Sequence, residues 1–315
     1  MRSFKEMLYD MAAYIGVFPN IGSMSLKTLR ILSGKSNFFR IILFLKEHKR
    51  DLSYVGGNKY KILSLDEVFS IKNYDLNALD LYFKERNRII FFKEGGQIYA
   101  QVKNFIFALP FPHGIYELVE TFYHECYGGI DIQNGNIIDI GAFIGDTAIY
   151  FASKGAKKII AFEPAKNLFR LAVQNVQLNN LNGIVYLRNE AVGYDVGEKN
   201  FYYIKSHPGA SSLLPRRKDF ICYKVRVVPF SDVVAELDYI DLLKIDCEGM
   251  EEAILLQAHK DGLLKNISNI IVEVHTQEGL EKLKAIFEKA SYRTVKWYSH
   301  KVPYLVFASK EHRSL

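Results

Sequence analysis

The sequence predicts an α/β protein, with a mostly parallel Rossmann-like sheet in residues 131–315 and an α+β accessory region in residues 1–130. After Gly135, short apolar strands alternate with helices, which is typical of a parallel sheet covered on both faces. A glycine turn joins the first of these strands to its helix. The last two strands have no helix between them, which indicates an antiparallel C-terminal hairpin.

The strands of the main sheet are predicted from short apolar runs bounded by turn residues. They cover residues 136–140, 158–162, 184–189, 242–246 and 269–275, followed by the hairpin at 294–298 and 304–307. An extra strand pair, 199–204 and 223–228, flanks a loop at 206–219. A loop of this length is often functional, so we expect it to cover a site.

The first 130 residues are rich in aromatic side chains and lack a clean alternation of strand and helix. We predict helices plus a small antiparallel sheet there. Its strands are 89–92, 97–102 and 105–108, and the helical segments are 3–15, 25–32, 37–46, 66–69, 76–86 and 115–126.

The composition narrows the class of protein but identifies no particular binding partner. Forty-one Lys and Arg against 35 Asp and Glu give a net charge of +6, but the basic residues are scattered and define no nucleic-acid footprint. The three cysteines form no CxxC pair, no export signal precedes the fold, and the apolar run 38–45 is far below the roughly 20 residues that span a bilayer. We therefore expect a cytoplasmic protein, and the sequence indicates no oligomeric state.

The first strand ends in the loop Asp139-Ile-Gly141-Ala142-Phe143-Ile-Gly145-Asp146. Gly141 would let a ligand approach the backbone closely, and Asp139 could hold a cationic amine. The Gly-x-x-x-Gly spacing differs from the dinucleotide pattern, and Asp146 stands where a pyrophosphate would bind. An anionic ligand would be repelled there, whereas a sulfonium would not. The alternative is a glycine turn that serves the fold alone.

Polar residues also follow the second and third strands. Glu163, before Pro164, could accept hydrogen bonds from both hydroxyls of a ribose, or it could cap the next helix. Asn189-Glu190-Ala191 follow the third strand, where an amide or an acid can meet an adenine amino group.

The densest signal is the run from Lys244 to Glu251, after the fourth strand. Ligands of open α/β sheets lie outside the carboxyl ends of the strands, so Asp246 and Glu248 should face a reacting centre. The fifth strand adds Glu273 and His275. The alternative is that Lys244 pairs with one of these acids as an internal ion pair.

Together these motifs resemble the FkbM family of methyltransferases over about residues 116–275. The resemblance rests on Asp139–Asp146, Phe162-Glu163-Pro164, Asn189-Glu190-Ala191, Lys244–Glu251 and Val272–His275, and Ser211-Ser212 matches a serine pair of the family. It implies S-adenosylmethionine binding and methyl transfer to an oxygen of a glycan or a small metabolite. The C-terminal hairpin agrees, because the seven-stranded methyltransferase sheet carries its last strand inserted antiparallel.

Methyl transfer to a hydroxyl needs alignment of the reactants and a base. We hypothesise that His275 or Asp246 removes the proton while Glu248 and Glu273 orient the acceptor. A divalent metal held by these four residues is an alternative that we do not favour. Two further readings stay open: a cofactor sensor without catalysis, and a nucleic-acid methyltransferase, although the Asn-Pro-Pro-Tyr loop of base methylation is absent.

Overall fold

The computed structural model describes residues 47–48, 50–56, 59–70, 76–215, 218, 220–297 and 303–310. The predicted helices 3–15, 25–32 and 37–46 lie outside this part of the chain. The described residues form two compact units, one within the range up to Lys103 together with Phe111–Tyr116, and the other within Asn104–Pro110 and the range from Glu117 onward. The domain boundary predicted at residue 130 stays a prediction; residues 104–110 and 117–130 pack with the second unit.

In its described residues, the first unit contains antiparallel strands and the helix Leu76–Glu85. Strands β1 (Leu52–Gly56), β2 (Lys59–Ile62) and β3 (Glu67–Ser70) form one sheet in that order. The predicted helix at 66–69 is therefore wrong: four residues are too few to fix a helical turn, and residues 67–69 instead pair with β2. Helix α1 (Leu76–Glu85) precedes a hairpin of β4 (Ile90–Glu94) and β5 (Gln97–Val102), where a hairpin was predicted.

The second unit contains the elements from β6 onward. They are β6 (Phe105–Leu109), α2 (Ile115–Phe122, from Glu117), β7 (Asn136–Ile140), α3 (Asp146–Ser153), β8 (Lys158–Phe162), α4 (Lys166–Leu178), β9 (Val185–Arg188), β10 (Ala191–Gly193), β11 (Gly197–Tyr203), β12 (Ile221–Pro229), α5 (Phe230–Val234), β13 (Ile240–Ile245), α6 (Glu251–Lys260), β14 (Ile267–Val274), α7 (Gln277–Lys289), β15 (Thr294–Trp297) and β16 (Tyr304–Ser309).

The main sheet has the strand order β15-β16-β14-β13-β7-β8-β9. Neighbours from β14 to β9 are parallel, and β16 runs antiparallel to both of its neighbours. The predicted fold class, a mostly parallel Rossmann-like α/β sheet with an antiparallel C-terminal hairpin, is confirmed. In the described part of the chain, no helix is both long and apolar enough to cross a membrane.

The core lies on both faces of this sheet. Consecutive residues Ile137 and Ile138 of β7, and Leu242 and Leu243 of β13, are all fully buried. Strands buried on both faces read as continuous apolar runs, which is why they could be located from sequence. Because β7, β8, β13 and β14 are parallel, their carboxyl ends meet at one edge of the sheet, where the polar motifs lie.

The second unit also contains a small three-stranded sheet with the order β10-β12-β11. Strand β12 pairs antiparallel with β11 and parallel with β10, so the predicted extra strand pair is present. The segment between β11 and β12 folds back on β11, since Tyr202 and Ser212 exchange backbone hydrogen bonds of 2.8 and 3.3 Å. Its short 3₁₀ turn, Pro208–Ala210, lies within the predicted covering loop.

Asn175 of α4 ties helix, strand and glycine loop together. It is fully buried, its Oδ1 accepts the Ala108 N–H at 2.6 Å, and its Nδ2 donates to the carbonyls of Ala108 and Ile144 at 3.2 and 2.9 Å. Ile144 belongs to the loop between β7 and α3, so one side chain connects α4 to the backbone of two other segments.

We expect Asn175→Ala to lower the free energy of unfolding by about 2–4 kcal/mol, because each buried backbone group left without a partner costs about 1–3 kcal/mol. Urea unfolding measures this loss. Gln177→Ala, at an exposed position of the same helix, is the control and should leave stability unchanged. Equal stability of the two variants would contradict the role given to Asn175.

Candidate functional site

The loop after β7 is shaped by the neighbouring strand. Gly141 has φ +84°, and a Cβ placed there would lie 1.6 Å from the backbone oxygen of Asp246. The close approach that requires glycine is therefore made by the end of β13, whereas the sequence had suggested a ligand. Gly145, with φ +81°, packs against Ala172 of α4, and Ala142 is fully buried.

Asp139 and Lys244 form a buried ion pair on adjacent strands. They are opposite each other in the β7–β13 register and are 0% and 2% exposed. Lys244 Nζ lies 3.2 Å from Asp139 Oδ1 and donates to the Gly141 carbonyl at 2.6 Å, while Thr147 Oγ1 donates to Asp139 Oδ2 at 2.5 Å. The cation beside Asp139 in the structure is thus Lys244, whereas the sequence had suggested that Lys244 pairs with one of the acids after β13 and β14. A bond from Asp139 to a ligand amine stays a prediction.

Lys244 is held in its charged form by the surrounding acids. Burial alone would lower its pKa, but the carboxylates of Asp139, Asp246 and Asp146 outweigh burial and raise the pKa of Lys244. Asp146, at the start of α3, is 3% exposed and accepts a hydrogen bond from Thr121 Oγ1 at 3.1 Å. Burial raises the pKa of Asp146 to about 6.

Glu163 connects the ends of β7 and β8. Its Oε2 accepts the Phe143 N–H at 2.9 Å and its Oε1 accepts the Ala165 N–H at 2.7 Å. Ala165 is the N-cap residue of α4, so the capping alternative accounts for one of these bonds. The other holds Phe143 at φ +51°, a conformation that is costly for a bulky residue. Burial raises the pKa of Glu163 to about 8; its proposed contact with a ribose stays a prediction.

The residues after β9 border an open cleft of about 520 Å³ lined by Arg188, Asn189, Glu190 and Arg226. Asn189 Nδ2 donates to the carbonyls of Glu163 and Pro164 at 2.9 and 3.0 Å, so it fixes the turn after β8 and leaves its oxygen as the acceptor. Glu190 Oε1 lies 3.2 Å from Arg226, and Ala191 is buried as the first residue of β10. The expected contact with adenine stays a prediction.

The four predicted catalytic residues lie together at the ends of β13 and β14. His275 Nε2 is 3.2 Å from Glu248 Oε2 and 3.5 Å from Glu273 Oε1. Its Nδ1 is 3.5 Å from Glu251 Oε1. Asp246 Oδ2 lies 3.9 Å from Lys244, which connects this cluster to the buried ion pair.

The surroundings of the cluster raise the pKa values of three of its groups: the imidazole of His275 and the carboxylates of Asp246 and Glu273. Burial alone would lower the pKa of His275, but the carboxylates of Glu248 and Glu251 raise it to about 10. Burial, helped by Glu248 and Glu251 and opposed by Lys244, raises the pKa of Asp246 to about 6. The charge of Asp246, followed by burial, raises the pKa of Glu273 to about 8. His275 is therefore an imidazolium at neutral pH, a form that cannot accept a proton.

The same cluster meets the distance requirement of a metal site. One ligand atom from each of Asp246, Glu273 and His275 lies within 4.8 Å of the others. Oxygen ligands with one imidazole suit a divalent cation. In this arrangement, however, His275 faces Glu248 and Glu251 as a cation, and a metal would have to displace its proton.

Three residues of the site carry contacts that sequence reasoning did not assign. Glu251, 2% exposed, accepts the N–H groups of Cys247 and Gly249 at 3.0 and 2.8 Å and so shapes the turn that carries Glu248, which has φ +58°. Ser212 Oγ donates to the Glu248 carbonyl at 2.7 Å, which ties the covering loop to this turn. Thr121 comes from α2. In the sequence, the acidic run after the fourth strand was a signal for Glu251 and the serine pair was a signal for Ser212, whereas nothing indicated Thr121.

Comparisons with known proteins find methyltransferases that are similar to this chain. Residues 139–294 match the family model described as the methyltransferase FkbM domain. "Methyltransferase sdnD" of Sordaria araneosa is 27% identical over 208 residues, which cover 55% of this chain and 80% of that protein. "Methyltransferase 1" of Beauveria bassiana is 26% identical over 183 residues, 51% of this chain and 73% of that protein.

Among solved structures, the methyltransferase FkbM from Methylobacillus flagellatus is similar with a TM-score of 0.43 and 13% identity. The match covers 74% of this chain and 59% of that chain. The matched family model begins at Asp139 and contains the glycine loop, Glu163 and the acidic cluster described above. Residues 139–294 of this chain are therefore identified as a methyltransferase FkbM domain.

Proposed function

We propose that the protein is an S-adenosylmethionine-dependent methyltransferase that acts on a hydroxyl group of a glycan or a small metabolite. The observation that carries the proposal is the excess of carboxylates at the carboxyl edge of the sheet. Among the described residues there, Asp139, Asp146, Asp246, Glu248, Glu251 and Glu273 outnumber the cations Lys244 and His275. Such an edge favours a ligand with positive charge and disfavours a pyrophosphate.

The residues of the edge fit this cofactor. The acids around Lys244 suit a sulfonium, Glu163 offers carboxylate oxygens to ribose hydroxyls, and Asn189 offers an amide oxygen near the cleft after β9. When bound, S-adenosylmethionine supplies an activated methyl group for an in-line displacement by the acceptor oxygen. The match of residues 139–294 to the methyltransferase FkbM domain supports the same assignment.

The sequence left His275 and Asp246 as candidates for the general base, and we assign this role to Asp246. Its side chain is 29% exposed, so an acceptor can reach it, and its pKa of about 6 leaves it ionised at neutral pH. His275, already an imidazolium, orients Glu248 and offsets the charges of Glu248 and Glu251. Glu273, beside the base, orients the acceptor.

We expect Asp246→Asn to lower kcat by about 10²–10⁴, the usual contribution of a general base. Because the base acts as a carboxylate, kcat/KM of the wild type should rise with pH through about 6 and then level off. The measurement is the pH–rate profile of methyl transfer. His275→Gln, which removes the cation without removing the base, should shift the acidic limb and retain more activity; a greater loss in His275→Gln than in Asp246→Asn would reverse the assignment.

The acceptor class rests on the family resemblance, because the two relatives given above are named only as methyltransferases. A nucleic-acid acceptor and a sensor without catalysis are the competing functions.

The proposed location of the enzyme is the cytoplasm. The three cysteines, Cys126, Cys222 and Cys247, are free, which supports a reducing compartment.

We expect purified protein to transfer a labelled methyl group from S-adenosylmethionine to hydroxyl-rich glycan or metabolite fractions. Nuclease treatment of the acceptor fraction should leave transfer unchanged. A chelator should also leave it unchanged, because the proton on His275 opposes metal binding. Loss of transfer after nuclease would favour a nucleic-acid acceptor, and cofactor binding without any transfer would favour the sensor.

A further inference from the structure

Glu117 of α2 carries a carboxylate that neither the sequence motifs nor the proposed chemistry use. Its Oε2 is buried and has no hydrogen-bond partner among the residues that the structure describes. A buried carboxylate oxygen without a partner is costly, because hydrogen bonds to water are lost and not replaced. Such a group in a native fold calls for an explanation.

The position of Glu117 connects it to the glycine loop. Thr121 lies four residues later in α2, so Glu117 and Thr121 share one face of the helix. Thr121 donates a hydrogen bond to Asp146, the residue that follows Gly145. Glu117 is therefore one helical turn from the contact between α2 and the start of α3.

A second contact places Glu117 beside the covering loop. A methyl group built on Gly209, in the 3₁₀ turn Pro208–Ala210, would lie 3.5 Å from Glu117 Oε1 and 3.9 Å from the ring of Phe143. The carboxylate of Glu117 and the ring of Phe143 thus adjoin the same glycine, and Phe143 belongs to the loop that follows β7.

The surroundings of Glu117 are acidic. Burial and the charges of Asp146, Glu120 and Asp246 raise the pKa of Glu117 to about 7. A ligand group that stabilises its ionised form must carry positive charge and N–H donors. A sulfonium is positive but has no hydrogen to donate, whereas an ammonium group has three donors.

We propose that Glu117 binds the α-ammonium group at the amino acid end of the S-adenosyl cofactor. This inference rests on the proposed function, since it deepens the assignment of the cofactor. It makes Glu117 a binding residue outside the conventional strand-end motifs, supplied by the helix that precedes the matched family domain.

The test compares two ligands that differ in that end. S-adenosylhomocysteine carries the amino acid group, and 5′-methylthioadenosine has the same adenosine and thioether without it. Titration calorimetry of the full chain gives both affinities. We expect Glu117→Gln to weaken S-adenosylhomocysteine binding about ten- to a hundredfold, as for loss of a charge-assisted hydrogen bond, and to leave methylthioadenosine binding within about twofold.

Glu125→Gln is the matched control, because it removes one carboxylate from a side chain that is 42% exposed. It should alter neither affinity. Equal weakening of both ligands by Glu117→Gln, or no weakening of either, would overturn the inference. If the wild type binds neither ligand, the proposed function itself fails, so the two failures are distinguishable.

Discussion

The buried ammonium of Lys244 is the interaction on which the rest of the site depends. It lies in β13, in the middle of the main sheet, contacts the carboxylates of Asp139 in β7 and of Asp246 just after β13, and donates to the carbonyl of Gly141. Gly141 in turn has no room for a side chain because the Asp246 carbonyl lies against it. One cation therefore fixes the spacing of two strand ends and the start of the glycine loop. Such pairs contribute little net stability, but loss of one partner leaves an uncompensated buried charge.

Near this pair, some acids are neutralised by a cation, whereas others keep raised pKa values. Lys244 offsets Asp139, and His275 offsets Glu248 and Glu251, whose contacts set the shape of the turn after β13. Asp246 and Glu273 then remain with raised pKa values at the open edge. Some acids of the site are thus held in ion pairs, whereas others exchange protons near neutral pH. This combination is expected of a site that binds a cationic cofactor and deprotonates an acceptor.

The sequence was sufficient to locate the main sheet and to predict that the polar motifs lie at one of its edges. Strands such as β7 and β13 are buried on both faces and therefore carry an uninterrupted apolar signal, and the acids that follow them must meet at one edge. The reason for Gly141 could not be foreseen, because its neighbour Asp246 is distant in the chain and close only in the sheet. The segment 66–69 was misassigned because a short run has no reliable period. Glu117 and Thr121 belong to an ordinary amphipathic helix, so their contacts appear only in three dimensions.

A double-mutant cycle on Lys244 and Asp139 tests the central claim most directly. The free energy of unfolding is measured for the wild type, Lys244→Met, Asp139→Asn and the double variant. The account predicts that Lys244→Met alone costs about 3–5 kcal/mol and that adding Asp139→Asn recovers part of this loss, with a coupling of at least about 1 kcal/mol. Strictly additive effects of the two substitutions would contradict it.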